Sequence, residues 1–170
     1  SLVNIPPTLF ASCSLITSFG ATFQNTGVEE IPENLFSGNP LVTYYGQTFR
    51  GCKNLRSVPA GLFAASISAT VFTNVFSECS ALEVVGAGLL NTTAVTTVGY
   101  LFDGCASLHS DVNTIFNLAS YPEIVTTTAI FRSCALLAGK GLVFMGKVPN
   151  VTAHYYAFYA CAGLDDYDDL

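Results

Sequence analysis

At 170 residues, with 51% apolar and only 11% charged side chains, the chain suits one domain with a sizeable core and is too apolar for a disordered segment. A formal charge of −6 with only six Lys and Arg excludes a phosphate-neutralising surface, so no nucleic-acid partner is expected. A third of the carboxylates, Asp165, Asp166, Asp168 and Asp169, crowd the C-terminus, where a solvated tail is expected; a calcium loop would want a Gly turn and a distal Glu.

From the N-terminus, residues 1–28 carry no Asp, Glu, Lys or Arg, and neither do 57–77 or 84–102. Each is near the roughly 20 residues that span a bilayer, yet Pro6, Pro7, Pro59, Gly61, Asn74, Gly86, Gly88 and Asn91 interrupt them. No transmembrane segment is predicted. The basic start of a signal peptide is absent, which with the missing initiator Met suggests a mature or trimmed chain. "LFASC" (Leu9 to Cys13) resembles a lipoprotein cleavage box, but the same residues fit a repeat.

That repeat emerges at "VTTVGYLFDGCASLHSD" (Val95 to Asp111), which holds Asp103, Cys105, His109 and Asp111, side chains of the types that bind zinc. "FDGCASL" at Phe102 has relatives in "FRGCKNL" at Phe49, "FSECSAL" at Phe76, "FRSCALL" at Phe131 and "FYACAGL" at Phe158. These Phe residues lie 27, 26, 29 and 27 apart, and Phe23 sits 26 before the first. An apolar-Thr pair precedes each: Ile16, Val42, Ala69, Val95, Val125 and Val151, each followed by Thr. A block such as "IPENLF" or "VPAGLF" follows. In the aligned columns Asp103 falls with Arg50, Ser77, Arg132 and Tyr159, and His109 with Arg56 and Glu83. Phe, Cys and Leu recur; the metal-type residues do not, so no metal or other cofactor is expected.

A unit this short cannot bury a hydrophobic face alone, but stacked units make a continuous core. The spacing predicts an α/β solenoid of about six coils of 26–29 residues. Each coil has a short parallel strand near Leu55 to Val58. Pro59 ends that strand and opens a short helical or 3₁₀ turn through Leu62 and Phe63. Residues one coil apart become neighbours. The Phe residues then form an interior file, Thr43, Thr70, Thr96 and Thr152 a hydroxyl ladder, and Arg56 with Glu83 a surface pair. Cys52, Cys79, Cys105, Cys134 and Cys161 share one column, with Cys13 out of phase. Six Cys admit a disulfide reading, but five equivalent members cannot all pair, and buried free thiols are favoured.

"VTTVGYLFDGCASL" resembles the unit of BspA-type leucine-rich repeats, and "IPENLF" and "VPAGLF" resemble a related bacterial version with a longer coil. The resemblance implies a right-handed leucine-rich-repeat solenoid on a bacterial cell surface or in a secreted protein, engaged in binding or adhesion. It carries over no catalytic residues. The first coil departs from the pattern at Thr26 and Glu29, and "LLAGKGLVFMGKVPN" blurs the strand block of the last.

Function divides three ways. Catalysis has little to work with, because His109 and His154 occupy different columns and no phosphate loop or nucleophile elbow is present. A binding module for a protein or glycan is the leading reading, with Lys53, Asn54, Arg56, Glu83 and His109 on the strand face as candidate contacts. Tyr155 and Tyr156, with Tyr44 and Tyr45, form a second candidate group, whose alternative is interior packing. The longer turn "NLASYPEIVTTT" is a place for a customised loop. A structural spacer is the alternative. Residues 1–170 are expected to form a single solenoid domain within a longer protein, and uncapped coils leave end-to-end contact open.

Overall fold

The computed structural model describes residues 2–170. Named secondary structure is sparse: β1 (Ser57–Val58), β2 (Val84–Val85), α1 (Val112–Ile115), α2 (Gly141–Gly146) and a 3₁₀ turn at Tyr167–Asp169. Turns bonded from one coil to the next make up most of the rest. β1 and β2 are parallel, with Ser57 opposite Val84 and Val58 opposite Val85. Single bridges from Glu30 to Ser57 and from Asp111 to Ala138 continue this side. On a second side, parallel bridges run from Ser18 through Tyr44, Val71, Thr97 and Thr126 to Ala153. Every bridge joins residues one repeat apart, so the chain is a solenoid.

The F-x-x-C spacing is that of a four-residue turn. The Cys N–H donates to the Phe carbonyl three residues earlier, at 3.1 Å in Phe49–Cys52 and Phe102–Cys105 and at 3.0 Å in Phe131–Cys134. A positive φ at the third position marks such turns and favours Gly or Asn there. Gly51 (φ 70°) and Gly104 (φ 75°) meet that demand, as does Asn25 (φ 56°). Glu78, Ser133 and Ala160 adopt the same conformation at the equivalent positions. A second turn precedes this one, with Ala21, Gln47, Asn74, Tyr100, Ala129 and Tyr156 at positive φ. An L residue held there costs about 1–2 kcal/mol. The bonds between coils hold it: Gln47, Phe49 and Gly51 donate to the carbonyls of Thr73, Val75 and Ser77 at 2.8–2.9 Å.

The Phe side chains from this corner form the expected interior file. Ring centroids run 5.2 Å from Phe23 to Phe49, 5.6 Å to Phe76, 5.5 Å to Phe102, 5.4 Å to Phe131 and 5.8 Å to Phe158. All are stacked within 12° of parallel. Beside them, Phe36 and Phe63 stack at 5.8 Å, and Tyr45 and Phe72 at 5.4 Å. The result is one continuous apolar core, with each ring's burial worth roughly 1.5–3 kcal/mol.

The Thr ladder is present. The hydroxyls of Thr43, Thr70, Thr96 and Thr152 donate to carbonyls of the preceding coil at 3.1–3.4 Å. One register differs from the sequence reading. Val125 N–H bonds to Thr96 O, so Val125 occupies the Thr column and Ile124 the apolar one. Ile124 is buried and Val125 half exposed, which shows that the interior slot, not the Val-Thr identity, sets the alignment.

The helical expectation needs correction too. Leu62 and Phe63 lie in a plain turn, with Gly61 at positive φ. Helices form instead where the repeat is loosest. α1 follows Asp111, whose carboxylate caps the helix by accepting from Asn113 N–H at 2.7 Å. α2 lies in the "GLVFMG" stretch and buries Phe144. Among the described residues, no helix is long and apolar enough to cross a membrane.

Candidate functional site

The metal-type residues of the central repeat have separate structural jobs. The Asp103 carboxylate receives two bonds from Arg132, Nε to Oδ1 at 2.7 Å and Nη2 to Oδ2 at 2.6 Å. The Cys105 thiol donates to Phe76 O at 3.1 Å, Asp111 caps α1, and the exposed His109 ring sits 3.3 Å from Ser107 O. Among the described residues, no three His, Cys, Asp or Glu side chains gather to hold a cation.

Cys105 exemplifies its column. Cys52, Cys79 and Cys134 donate in the same way to Phe23, Phe49 and Phe102 at 3.1 Å, and Cys161 to Phe131 at 2.9 Å. Each Phe carbonyl from Phe49 to Phe131 therefore accepts its own turn's N–H and the next coil's thiol, which locks adjacent corners together. All five thiols are free and buried, whereas Cys13 is exposed. Burial pushes Cys52, Cys79, Cys105 and Cys134 up and raises Cys161 to about 11. A nucleophilic thiol needs the reverse, an exposed electropositive setting.

Three of the five strand-face candidates, Arg56, Glu83 and His109, line up. Glu83 N–H donates to Arg56 O at 2.9 Å and His109 N–H to Glu83 O at 3.1 Å. Arg56 Nη1 reaches Glu83 Oε1 at 3.3 Å, with both side chains well exposed, so the pair contributes only about 0–1 kcal/mol. Lys53 and Asn54 stand apart, lining a shallow dent of about 310 Å³ with Asn25, Thr26, Gly27 and Gly51. The Arg56, Glu83 and His109 column is a row of solvent-exposed side chains.

The tyrosines divide. Tyr45 is fully buried, its hydroxyl 2.5 Å from Ser66 Oγ, and burial pushes its pKa up to about 12; it is a packing residue. Tyr44 is partly exposed on the bridge ladder. In the longer turn, Tyr121 is buried and donates to Leu90 O at 3.2 Å, which pins that loop to the neighbouring coil. Tyr155 and Tyr156 are 71% and 63% exposed and stand together at the C-terminal end.

There they line a groove of about 670 Å³ with three walls. The last corner supplies His154, Tyr155, Tyr156, Phe158 and Tyr159; α2 supplies Leu142 and Met145; the tail supplies Tyr167, Asp169 and Leu170. Tyr156 and Tyr159 meet edge to face at 5.7 Å, and the His154 and Tyr155 rings lie parallel at 6.4 Å. Asp166 fixes the tail by accepting from Gly141 N–H at 2.7 Å and Leu142 N–H at 3.0 Å, two amides in the first turn of α2. The acidic tail is thus anchored through Asp166 rather than wholly solvated. Tyr159 and Tyr167 join the groove although no sequence pattern pairs them with Tyr155 and Tyr156. Tyr159 sits one residue after Phe158 in a variable column, which was the available signal.

No family model matches the sequence, and no curated protein matches it. Among solved structures, the chain is similar to a crystal structure of the LRIM1/APL1C complex (19% identity, TM-score 0.34), over 74% of this chain and 22% of that one. It is also similar to a leucine-rich repeat protein from Bacteroides ovatus ATCC 8483 (17% identity, TM-score 0.25), over 96% of this chain and 57% of that one. The chain thus spans less than two thirds of either solved structure. Both superpositions are loose, and the coil architecture rests on this chain's own hydrogen bonds and ring file.

Proposed function

We propose that the chain is a non-enzymatic recognition module, a right-handed solenoid of BspA-type leucine-rich repeats in a secreted or surface-exposed bacterial protein. Its ligand is a protein, held at the C-terminal groove through Tyr155, Tyr156, Tyr159 and Tyr167. The groove carries this reading, because it gathers exposed tyrosine rings with apolar Leu142, Met145 and Leu170 in one concavity. Tyrosine supplies a large rigid contact surface and a hydroxyl at low entropic cost, which is why it is enriched at protein interfaces. The buried, pKa-raised thiols speak against a cysteine nucleophile. Lys53, Asn54, Arg56, Glu83 and His109 form a second, weaker surface, since Arg56 and Glu83 already satisfy each other.

The test is a binding screen against proteins and glycans, comparing the chain with Tyr155→Ala/Tyr159→Ala and with Arg56→Ala/His109→Ala. The groove variant is expected to lose binding at least tenfold, with the strand-face variant unchanged. The opposite pattern moves the site to the strand face. A glycan hit would replace the protein ligand, and no ligand in either class supports the spacer reading.

A further inference from the structure

Each coil makes one further turn just before its apolar-Thr pair, and these turns stack into a ridge along one corner of the solenoid. In five of the six coils a backbone bond to the carbonyl three residues back closes the turn, at 3.0–3.4 Å from the N–H groups of Ile16, Val42, Ala69, Ile124 and Val151. Side-chain bonds between coils hold the tips in place. Asn39 Nδ2 donates to Cys13 O, Thr92 Oγ1 to Ile67 O and Asn150 Nδ2 to Pro122 O, each at 2.9 Å. What the tips carry changes along the ridge. Coils one to three place Leu15, Leu41 and Ile67 there, 82%, 49% and 67% exposed, with exposed Pro40 beside Leu41. Residues 12–17, 37–43, 64–70 and 91–97, which make the first four turns, contain no Asp, Glu, Lys or Arg. The fifth and sixth tips carry Glu123 and Asn150 instead. Coils two and three have a neighbour on either side, so the exposure of Leu41 and Ile67 is lateral and owes nothing to an end of the stack.

We propose that this ridge docks on a lipid bilayer with zwitterionic headgroups, the Leu15, Leu41 and Ile67 side chains entering the interfacial layer. Aliphatic side chains held in water by three adjacent coils mark an interaction surface, and its area and charge select the occupant. Three side chains on a line of two-residue turn tips fall well short of the roughly 800 Å² per partner that a standard protein interface buries, which argues against a second copy. A bilayer needs no matched surface, because alkyl groups gain by entering the boundary between headgroups and acyl chains one at a time. The first four turns offer no Lys or Arg, and the chain as a whole carries −6, so an anionic headgroup layer would repel it. A zwitterionic layer asks for no charge, and the exposed hydroxyls of Ser14, Ser68 and Thr93 on the same tips supply hydrogen bonds at headgroup level. This surface is separate from the tyrosine groove and is independent of what the groove binds.

The test is flotation of the chain with phosphatidylcholine vesicles through a density gradient. The wild type is compared with Leu41→Asp/Ile67→Asp and with Leu136→Asp, which charges a 55% exposed leucine away from the ridge. Leu41→Ser/Ile67→Ser replaces the ridge variant should it lose the native circular dichroism. The wild-type chain is expected to float with the vesicles and to keep doing so in high salt. The ridge variant is expected to partition at least tenfold more weakly, with Leu136→Asp and Tyr155→Ala equal to the wild type. Replacing part of the phosphatidylcholine with phosphatidylglycerol is expected to weaken binding. A wild-type chain that never floats overturns the inference. So does flotation that the ridge variant keeps, that Leu136→Asp loses to the same extent, or that requires phosphatidylglycerol. A wild-type dimer in sedimentation velocity that the ridge variant abolishes assigns the ridge to a second copy and overturns the bilayer.

Discussion

Truncating Phe102 tests the interior file where it is most constrained. Phe102 is fully buried, with Phe76 stacked at 5.5 Å on one side and Phe131 at 5.4 Å on the other. A buried aromatic side chain covers about 150–250 Å². At about 25 cal/mol per Å² that area sets a ceiling of roughly 4–6 kcal/mol, above the roughly 1.5–3 kcal/mol that burying one such ring contributes. Phe102→Ala keeps the Cβ but leaves a cavity between two rings, and such truncations cost about 3–5 kcal/mol. Phe158 ends the file, with Phe131 as its one stacked neighbour at 5.8 Å, and retains 7% exposure. Phe158→Ala is therefore expected to cost about 1–2 kcal/mol less than its central counterpart, since it forfeits one stacked pair and can relax toward solvent. Urea unfolding followed by circular dichroism and by tyrosine fluorescence measures both; coincident transitions license the free energies. With an m-value near 2 kcal/mol/M, Phe102→Ala should lower the midpoint by roughly 2 M. A cost below about 1 kcal/mol, or a larger cost at Phe158 than at Phe102, would refute the file as the stabilising core.

Three further outcomes are expected. The buried thiols have raised folded-state pKa values, so their neutral form stabilises the fold fully below the unfolded pKa of about 8.5, and that stability is lost as pH rises through the window up to the folded values, about 11 for Cys161. The urea midpoint should therefore fall steeply above about pH 8.5, each thiol removing about 1.4 kcal/mol per pH unit inside its window; a midpoint flat from pH 8 to 10 contradicts the burial. Gly51→Ala places a Cβ at φ 70° and against Asn25 Oδ1, and should cost at least about 1–2 kcal/mol in thermal unfolding, part of which Asn25→Gly restores; strict additivity of the two changes would remove the clash as the cause. Arg132→Ala breaks a two-bond contact to a carboxylate only 12% exposed and should cost about 1.5–3 kcal/mol, whereas Arg56→Ala should stay within about 1 kcal/mol, so equal losses by denaturation would contradict the geometry.

The fold was legible wherever one residue type filled one interior slot. Phe49, Phe76, Phe102, Phe131 and Phe158 announce the file because the same aromatic ring recurs at one buried slot of successive coils. Gly51 and Gly104 mark a left-handed position, but Glu78, Ser133 and Ala160 adopt it without any sequence sign. There the bonds between coils override local preference. The register slip at Ile124 and Val125 has a similar origin: two apolar residues compete for one buried slot, and the Thr that follows misleads. α1 and α2 arise where the strand block loses its pattern and a carboxylate happens to cap the amides, Asp111 locally and Asp166 from 25 residues away. That distant contact also explains why the groove was only half visible. Tyr155 and Tyr156 stood out as a pair, but α2 and the tail reach them only through the fold. Arg56, Glu83 and His109 share a column that the repeat spacing makes visible, yet a shared column is not a concavity, and Arg56 pairs with Glu83.

Reaction of the six cysteines with a thiol reagent, in the native protein and again after denaturation, bears most directly on whether successive corners lie on top of one another. Cys13 should react at once, and Cys52, Cys79, Cys105, Cys134 and Cys161 only when the coil stack is unfolded. Rapid reaction of most of these five in the native protein would mean that the corners are not stacked, and the interior file would go with them.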